Sequence, residues 1–583
     1  MMLATLSLTH VQQKIDEVKQ FLAIAMRIAN AHTVEFYTHD VWSRFMAVAP
    51  EEVLSAVSAD QVHQREHSCK ENGEQSTFGF CPESHHLVKI SEMLEAARMH
   101  SLPGLGICFS REELLLSVQK NCSNSGSSTK TAAGATLETD EFMNSKKSHE
   151  VQCMSEVVAQ LAQQCQVTQI IDVGSGKGYL SSFLSMQYGL QVYGIDSSST
   201  NTHGARERDR KLKKFSKAFQ QHSKAKKRNT LEGEIKSNII TQTDQRKEVE
   251  KTELPLSSVE DLPNVIEEHM EPNMTNQESS EDLFLNALSL DVIETTSSKV
   301  PSCQLTEEER EKRKKKNLER KAQNTSRNEG PLFSPITSYV TAETELRELI
   351  SELQAAVLVG LHTCGDLAPS SLRMFVAKAE LSAVCSVGCC YHLLSEEFDP
   401  TAEEGSHAVN GFPLSQYLRD QSWFCGRNAR MSACLALERF SHGQGIPLES
   451  LFYRAVLHVI LRDHYGSFKS EKRVGNVYSK TKSFVEYVRR ALQRLELDET
   501  KLPDNEIQGY HDKYSLRMNE LQAFTMLKVA LAPCIEGLIL LDRLCYLKEQ
   551  VNIVKEIQII NTYQLKMCRM MQAGSKYLNL TLI

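Results

Sequence analysis

Apolar side chains near the start of the chain recur three and four positions apart, at Val11, Ile15, Val18, Leu22, Ala25 and Ala29, and so share one face of a core-packing helix. A polar stretch from His63 to His86 follows, then an apolar pattern from Leu87 to Leu116. The next run, Asn121 to Asp140, is rich in Ser, Thr and Gly and reads as a linker. Beyond it the period changes. Short β-branched runs at Thr168–Val173, Gln191–Asp196, Ala355–His362 and Leu381–Val387 each end in a turn, and helical spacing follows them. Strands alternating with helices predict a parallel sheet covered on both faces, a Rossmann-like α/β domain.

The spacing of these runs locates an insertion. From Asp172 to His362 is 362 − 172 = 190 residues, whereas three strand–helix units need about 75 to 90. The excess coincides with Gln221–Gly330, which holds one aromatic, Phe284, and no Lys or Arg between Glu253 and Ser298. Such a stretch buries too little apolar surface to offset its ordering entropy, so it reads as a long disordered insertion within one domain. The third strand is then expected at Ile336–Val340 and its helix at Glu343–Leu353. Arg454 to Leu547 reads as mainly helical, with Phe484, Val485, Tyr487 and Val488 and then Leu538 to Leu544 completing the core. The expected organisation is a helical N-terminal region with polar linkers (1–140), the first half of the α/β domain (141–220), the insertion (221–330), the second half (331–450) and a helical C-terminal extension (451–583).

Composition changes this picture little. A length of 583 residues suggests roughly four domains, but the insertion accounts for much of the excess. At 41% hydrophobic and 24% charged residues the chain is neither collagen-like nor wholly disordered. The net charge is 66 − 74 = −8, which does not mark a nucleic-acid binder overall. Locally, basic runs at Lys211–Arg228 and Arg310–Lys321 bracket the insertion and suit RNA-facing arms or a nuclear address. The start of the chain lacks the order of a signal peptide and no long uncharged apolar run is present. A cytoplasmic or nuclear protein away from membranes is expected, and its sixteen cysteines are expected to be reduced.

The stretch that carries chemistry is Asp172-Val173-Gly174-Ser175-Gly176-Lys177-Gly178-Tyr179, placed where a strand turns into a helix. Glycines there let a ligand lie against the backbone, where helix N–H groups point outward. A P-loop would need Ser or Thr after Lys177 and a glycine at Ile171, and has neither. The dinucleotide fingerprint would need a third glycine at Tyr179. An acid two positions before Gly-x-Gly-x-Gly is instead the spacing associated with S-adenosylmethionine. Asp196, ending the next strand, can accept ribose hydroxyls in a bidentate way, a feature nicotinamide enzymes share.

These residues resemble the methyltransferase-like proteins whose domain is shared with acceptor-stem tRNA ribose methyltransferases. The shared marks are Lys146-Lys147-Ser148-His149-Glu150, Asp172–Leu180, Ala205-Arg206, Leu361–Asp366, Gly388–His392, Leu531–Glu536 and Leu541-Asp542-Arg543. The chain departs from the pattern beyond Gln550, where a terminal hairpin with a Ser-Pro-Arg turn is missing. The resemblance implies an S-adenosylmethionine-dependent methyltransferase fold, with Asp172, Gly174, Ser175, Gly176, Lys177, Gly178 and Tyr179 holding the methionine end of the cofactor and Asp196 its ribose. It sets Lys146 and Lys147 near the mouth and favours RNA over protein as the methyl acceptor, whose identity stays open. A non-catalytic module of the same fold, binding RNA or protein, is the alternative.

In an open parallel sheet the ligand sits at the carboxyl ends of the strands, so His362, Cys364, Asp366, Cys389, Cys390, Tyr391 and His392 are the catalytic candidates. His362 or His392 has the unperturbed pKa of a general base. Asp366 and Tyr391 could bind and stack an amine or ring-nitrogen acceptor, and Cys389 or Cys390 could attack a pyrimidine. Cys364, Cys389, Cys390 and His392 have metal-ligand chemistry, but adjacent cysteines chelate poorly, so no metal is expected.

Overall fold

A computed structural model describes residues 7–62, 77–107, 113, 143, 145–212, 332–400, 409–435, 448–466, 474–475, 477–554 and 581–582. The insertion expected at 221–330, the linker at 121–140, Lys146's side chain and most of both basic runs lie outside the described residues. The chain divides into two units. The first, residues 1–209, 294–472 and 477–583, holds the elements below; the second takes 210–293 and 473–476 and lies mainly outside the described residues.

Six strands form one sheet: β1 (Gln169–Val173), β2 (Gln191–Asp196), β3 (Phe333–Thr337), β4 (Ala356–Gly360), β5 (Leu381–Ser386) and β6 (Thr581–Leu582). Their order is β3-β2-β1-β4-β5-β6, parallel except for β6. The chain winds one way through β1, β2 and β3, then returns to the other side of β1 for β4. A crevice therefore opens between the carboxyl ends of β1 and β4, where open α/β sheets bind ligands.

Alternation along the strands sorts the core into two layers. Ile170, Val192, Val357, Val359 and Ala383 face the layer of α2 (Ser145–Gln164) and α3 (Tyr179–Tyr188). Ile171, Val173, Ile195, Leu358 and Val384 face the layer of α4 (Leu367–Ala377). All five residues of β1 and of β4 are buried, as a two-sided parallel sheet requires.

The third strand starts three residues earlier than its apolar pattern suggests, at Phe333 rather than Ile336. The cause is the Phe333 ring, which fills space that only glycines leave. A Cβ at Gly178 would lie 2.7 Å from it and one at Gly194 2.9 Å. That fit pins the register of Val192 against Phe333. The following helix shrinks to Leu346–Leu349, although Leu346, Ile350 and Leu353 all remain buried. At the far edge, β6 pairs antiparallel with β5, so a strand does reach the sheet from the C-terminal end despite the absent hairpin motif.

The N-terminal helix α1 (Leu8–Asn30) buries the expected stripe, with Phe21 and Ile28 added. It packs on α7 (Met518–Val554), which also meets α5 (Arg427–Ala433); α6 (Leu448–Tyr465) lies between α1's end and the C-terminal helices. By length and hydropathy Met518–Gln550 would span a bilayer, yet protein covers it. Three of its buried charged groups have hydrogen-bond partners that tie it to other elements. Asp542 accepts from the Leu414 N–H (2.7 Å), the Ser415 N–H (2.9 Å) and the Ser415 hydroxyl (2.6 Å), and Glu536 accepts from the Tyr391 hydroxyl at 2.9 Å. Lys528 donates to the Ala31 carbonyl at 2.7 Å, tying α7 to the end of α1.

Asp542→Ala strands two buried N–H groups and a neighbouring buried Arg543, so it should cost about 3 kcal/mol or more, read as a lowered urea midpoint. Asp542→Asn, which keeps an acceptor, should lose less. Equal midpoints for Asp542→Ala and the unsubstituted chain would contradict this account.

Candidate active site

The glycine turn forms because three residues take the left-handed backbone that glycine tolerates: Gly174 (φ 68°), Gly176 (φ 55°) and Gly178 (φ 67°). The Gly174 and Ser175 N–H groups bond the Ile195 carbonyl, so the turn folds back on β2. Gly178 is then the N-terminal boundary of α3, and no side chain caps that helix. A Cβ at Gly174 would meet Leu367 at 3.1 Å and the His362 carbonyl at 3.6 Å, whereas one at Gly176 would meet nothing within 4 Å. Gly174 thus closes the turn against the end of β4, and Gly176 faces open space.

The two acids of the motif do different things. Asp172 is buried beneath the turn and accepts from the Ser181 hydroxyl at 2.5 Å. Burial pushes its pKa up to about 7, the Ser181 hydrogen bond works against that rise, and the Asp196 charge adds to it. Asp196 lies at the surface of the crevice. Its Oδ2 accepts from the Gly176 N–H at 2.9 Å, and its Oδ1 accepts from the Ser198 N–H (2.9 Å) and the Asn201 side chain (3.1 Å). The expected two-oxygen grip on a ribose is therefore reduced: Oδ1 is already doubly used, and Oδ2 keeps one lone pair.

Tyr179 stands at the mouth with Lys147 Nζ 5.0 Å from its ring centroid and the Arg208 guanidinium carbon 4.0 Å from it. Lys177 is exposed beside them, and Arg206 donates to the Pro335 carbonyl at 3.0 Å. A cationic edge borders the glycine turn.

Across the crevice, the ends of β4 and β5 are tied by Thr363, whose N–H and hydroxyl both donate to the Val387 carbonyl at 3.0 Å. This tie brings Cys364 Sγ to 3.5 Å from Cys389 Sγ, which lies 3.6 Å from Cys390 Sγ. His362 faces the same group, with Nδ1 3.8 Å from Cys389 Sγ and Nε2 3.4 Å from Oε2 of buried Glu150. Cys390 is pulled well below the usual thiol range, chiefly by hydrogen bonds from Cys364 and then from Cys389. Cys389 is held above it by the same bonds, Cys364 first.

Several candidates are placed differently from their expected roles. Tyr391 is fully buried, with its hydroxyl on Glu536 and its ring 5.8 Å from the Arg543 guanidinium carbon, so it cannot stack a substrate. Asp366 accepts from the Ser395 N–H at 2.9 Å and abuts Gly411, which makes it an organiser of the loop after β5. His392 turns away, with Nδ1 3.5 Å from Cys434 Sγ. His362 has a partner on each ring nitrogen and so is no free base. Cys389 Sγ is turned toward Cys364, Cys390 and His362.

A family profile described as a methyltransferase domain matches residues 146–397. The human protein named probable methyltransferase-like protein 25 is 44% identical over 94% of this chain and 94% of its own. The mouse protein of the same name is 45% identical over 94% of this chain and 93% of its own. The chain belongs to the methyltransferase-like protein 25 family. No solved structure matches it.

In this member of the methyltransferase-like protein 25 family, three residues of the site escape a reading by spacing. Glu150 lies 212 positions before His362 in sequence and meets it only through the packing of α2 on β4. Arg430, from α5, donates to the Tyr391 and Leu394 carbonyls and pairs with Glu396 at 2.9 Å, fixing the loop after β5. Tyr339 is 79% exposed just past the end of β3, beside Ser338, whose N–H bonds the Asp196 carbonyl. An exposed aromatic looks like any other in a sequence, so no signal marked it.

Two outcomes test this geometry. Asp172 binds its proton more tightly folded than unfolded, so its contribution to stability is full below its ordinary pKa of 3.8 and is lost as pH rises through about 7. Asp172→Asn, uncharged throughout, should therefore gain progressively on the unsubstituted chain between about pH 4 and pH 7, by at most about 4 kcal/mol, and hold that gain above it. A pH-independent difference in urea midpoint would contradict the assignment. Separately, Gly178→Ala drives a methyl into the Phe333 ring and should cost about 3 kcal/mol, whereas Gly176→Ala meets only backbone strain of about 1 kcal/mol. Equal thermal shifts would count against the packing described.

Proposed function

We propose that the protein transfers a methyl group from S-adenosylmethionine to RNA. The observation that carries this reading is an uncapped glycine turn, open at Gly176, with Asp196 on one side and the ends of β4 and β5 on the other. The residues fit the cofactor. The first N–H groups of α3 and the buried, unpartnered Ser175 hydroxyl suit the carboxylate of the methionine end. Asp196 Oδ2 keeps a lone pair for a ribose hydroxyl, and Tyr339, one residue past the Ser338 that bonds the Asp196 carbonyl, carries an exposed ring of the kind a base stacks on. Asp172 would act from below, by holding Ser181 in the first turn of α3.

When bound, the cofactor supplies an activated methyl group with its own leaving group. The chain's part is to align an acceptor with that methyl, a positioning effect worth roughly 7 to 11 kcal/mol. RNA is favoured as the acceptor because Lys147, Lys177, Arg206 and Arg208 border the mouth, where phosphate contacts fix register. A cytoplasmic or nuclear place of action fits thiols that form no disulfide among the described residues.

Calorimetry of the full chain should show S-adenosylmethionine binding that Asp196→Ala abolishes. With a methyl-labelled cofactor and fractionated lysate, label should enter RNA. Label in protein alone would overturn the acceptor assignment, and cofactor binding without transfer would leave a binding module rather than an enzyme.

A further inference from the structure

We infer that Cys364, Cys389, Cys390 and His362 form a tetrahedral zinc site that locks the ends of β4 and β5 beside the glycine turn. Adjacency of Cys389 and Cys390 argues against chelation in sequence, but the fold has already placed their sulfurs. A tetrahedral zinc with Zn–S near 2.3 Å has S···S edges of about 3.8 Å and, with Zn–N near 2.0 Å, an S···N edge of about 3.6 Å. The corresponding separations here are 3.5 Å for Cys364 to Cys389, 3.6 Å for Cys389 to Cys390 and 3.8 Å for Cys389 to His362 Nδ1. The three sulfurs all lie within 4.8 Å of one another; His362 is close to Cys389 alone and would swing toward the other two sulfurs to become the fourth ligand.

The surroundings match a metal centre as well as the distances do. A ligating histidine characteristically gives its other N–H to a carboxylate, which fixes the ring. His362 Nε2 faces Glu150 Oε2 at 3.4 Å, and Glu150 is only 5% exposed. That pairing fixes the ring with Nδ1 pointing at sulfur. Three thiols and one imidazole select a thiophilic ion that prefers four ligands, which is zinc. Binding would release the thiol protons to solvent and leave the centre one negative charge, with no coordination position open for a water. Its work is then structural: Cys364 follows β4, Cys389 and Cys390 follow β5, and α2 supplies Glu150. The ion would set the wall of the crevice opposite Asp196. The loop after β5 is otherwise held by side-chain contacts, through Asp366, Tyr391, Arg430 and Arg543.

The inference is independent of whether the chain moves methyl groups. Full-length protein made in zinc-supplemented medium and purified with a thiol reductant and no chelator should carry about one zinc per chain by mass spectrometry of the metal. Cys364→Ser and Cys389→Ser should remove it, Cys165→Ser should keep it, and Glu150→Gln should weaken zinc affinity about 10- to 100-fold. Should the serine variants fail to fold, cobalt added to the unsubstituted chain decides, since three thiolates give strong charge-transfer bands with tetrahedral d–d absorption. A folded unsubstituted chain without metal and without those bands overturns the inference, as does a Cys364–Cys389 or Cys389–Cys390 disulfide in the freshly reduced protein. A zinc-loaded chain that ignores S-adenosylmethionine in calorimetry would sink only the methyl-transfer reading; a zinc-free chain that binds the cofactor would sink only this one.

Discussion

A carboxylate taken out of water must be met by donors, and that requirement joins the parts of this molecule that the sheet alone leaves separate. Asp542 on α7 holds the backbone at 414–415, Glu536 holds Tyr391, and Glu396 receives the N–H groups of Cys425 and Gly426 together with Arg430. Each acid reaches from one element to a loop that has no ladder of its own. Removing Asp542 or Glu396 leaves buried N–H groups or an unpaired arginine, and removing Glu536 leaves the buried Tyr391 hydroxyl without this acceptor, which costs more than the bond itself contributes. The loop after β5 therefore has one arrangement, and the positions of Cys389 and Cys390 follow from it.

The same logic separates the two acids of the glycine motif. Asp172 and Asp196 come from adjacent strands and share a local charge field, yet one lies under the turn and the other on its rim. Burial pushes Asp172 up to about 7 and commits it to Ser181, while Asp196 spends its oxygens on Gly176, Ser198 and Asn201. The rim acid is therefore the one with a lone pair left for a ligand. The sheet order makes this useful, because the reversal between β1 and β4 puts the open side of the turn opposite the cysteine cluster.

The strands were legible because parallel strands buried on both faces must be short, continuous and β-branched, and β1, β2, β4 and β5 fall where those runs are. Phe333 was not, since its place depends on the missing side chains of Gly178 and Gly194, a pairing of positions far apart in the chain. The chemistry of the β4 and β5 ends was half legible. Topology brings His362, Cys364, Cys389 and Cys390 together, but whether a side chain faces the crevice or the core depends on partners such as Glu536 and Arg543 supplied by α7. Tyr391 shows the consequence, as an aromatic in a functional motif that serves as a buried strut.

The long connection between β2 and β3 raises a last question of magnitudes. Asp196 and Phe333 are 137 positions apart, against about 25 for an ordinary crossover. For an unstructured chain, closing a connection longer by that ratio costs only about 1.5 kcal/mol more, because closure entropy grows with the logarithm of length. Burying one phenylalanine contributes about 1.5 to 3 kcal/mol. Phe333, seated in the slot that two glycines leave, can by itself offset the added length and hold an edge strand at the end of so long a connection. A bulkier residue at Gly194 would press on Phe333 and on Ser175 alike, so the edge of the sheet and the glycine turn are coupled through that one missing side chain.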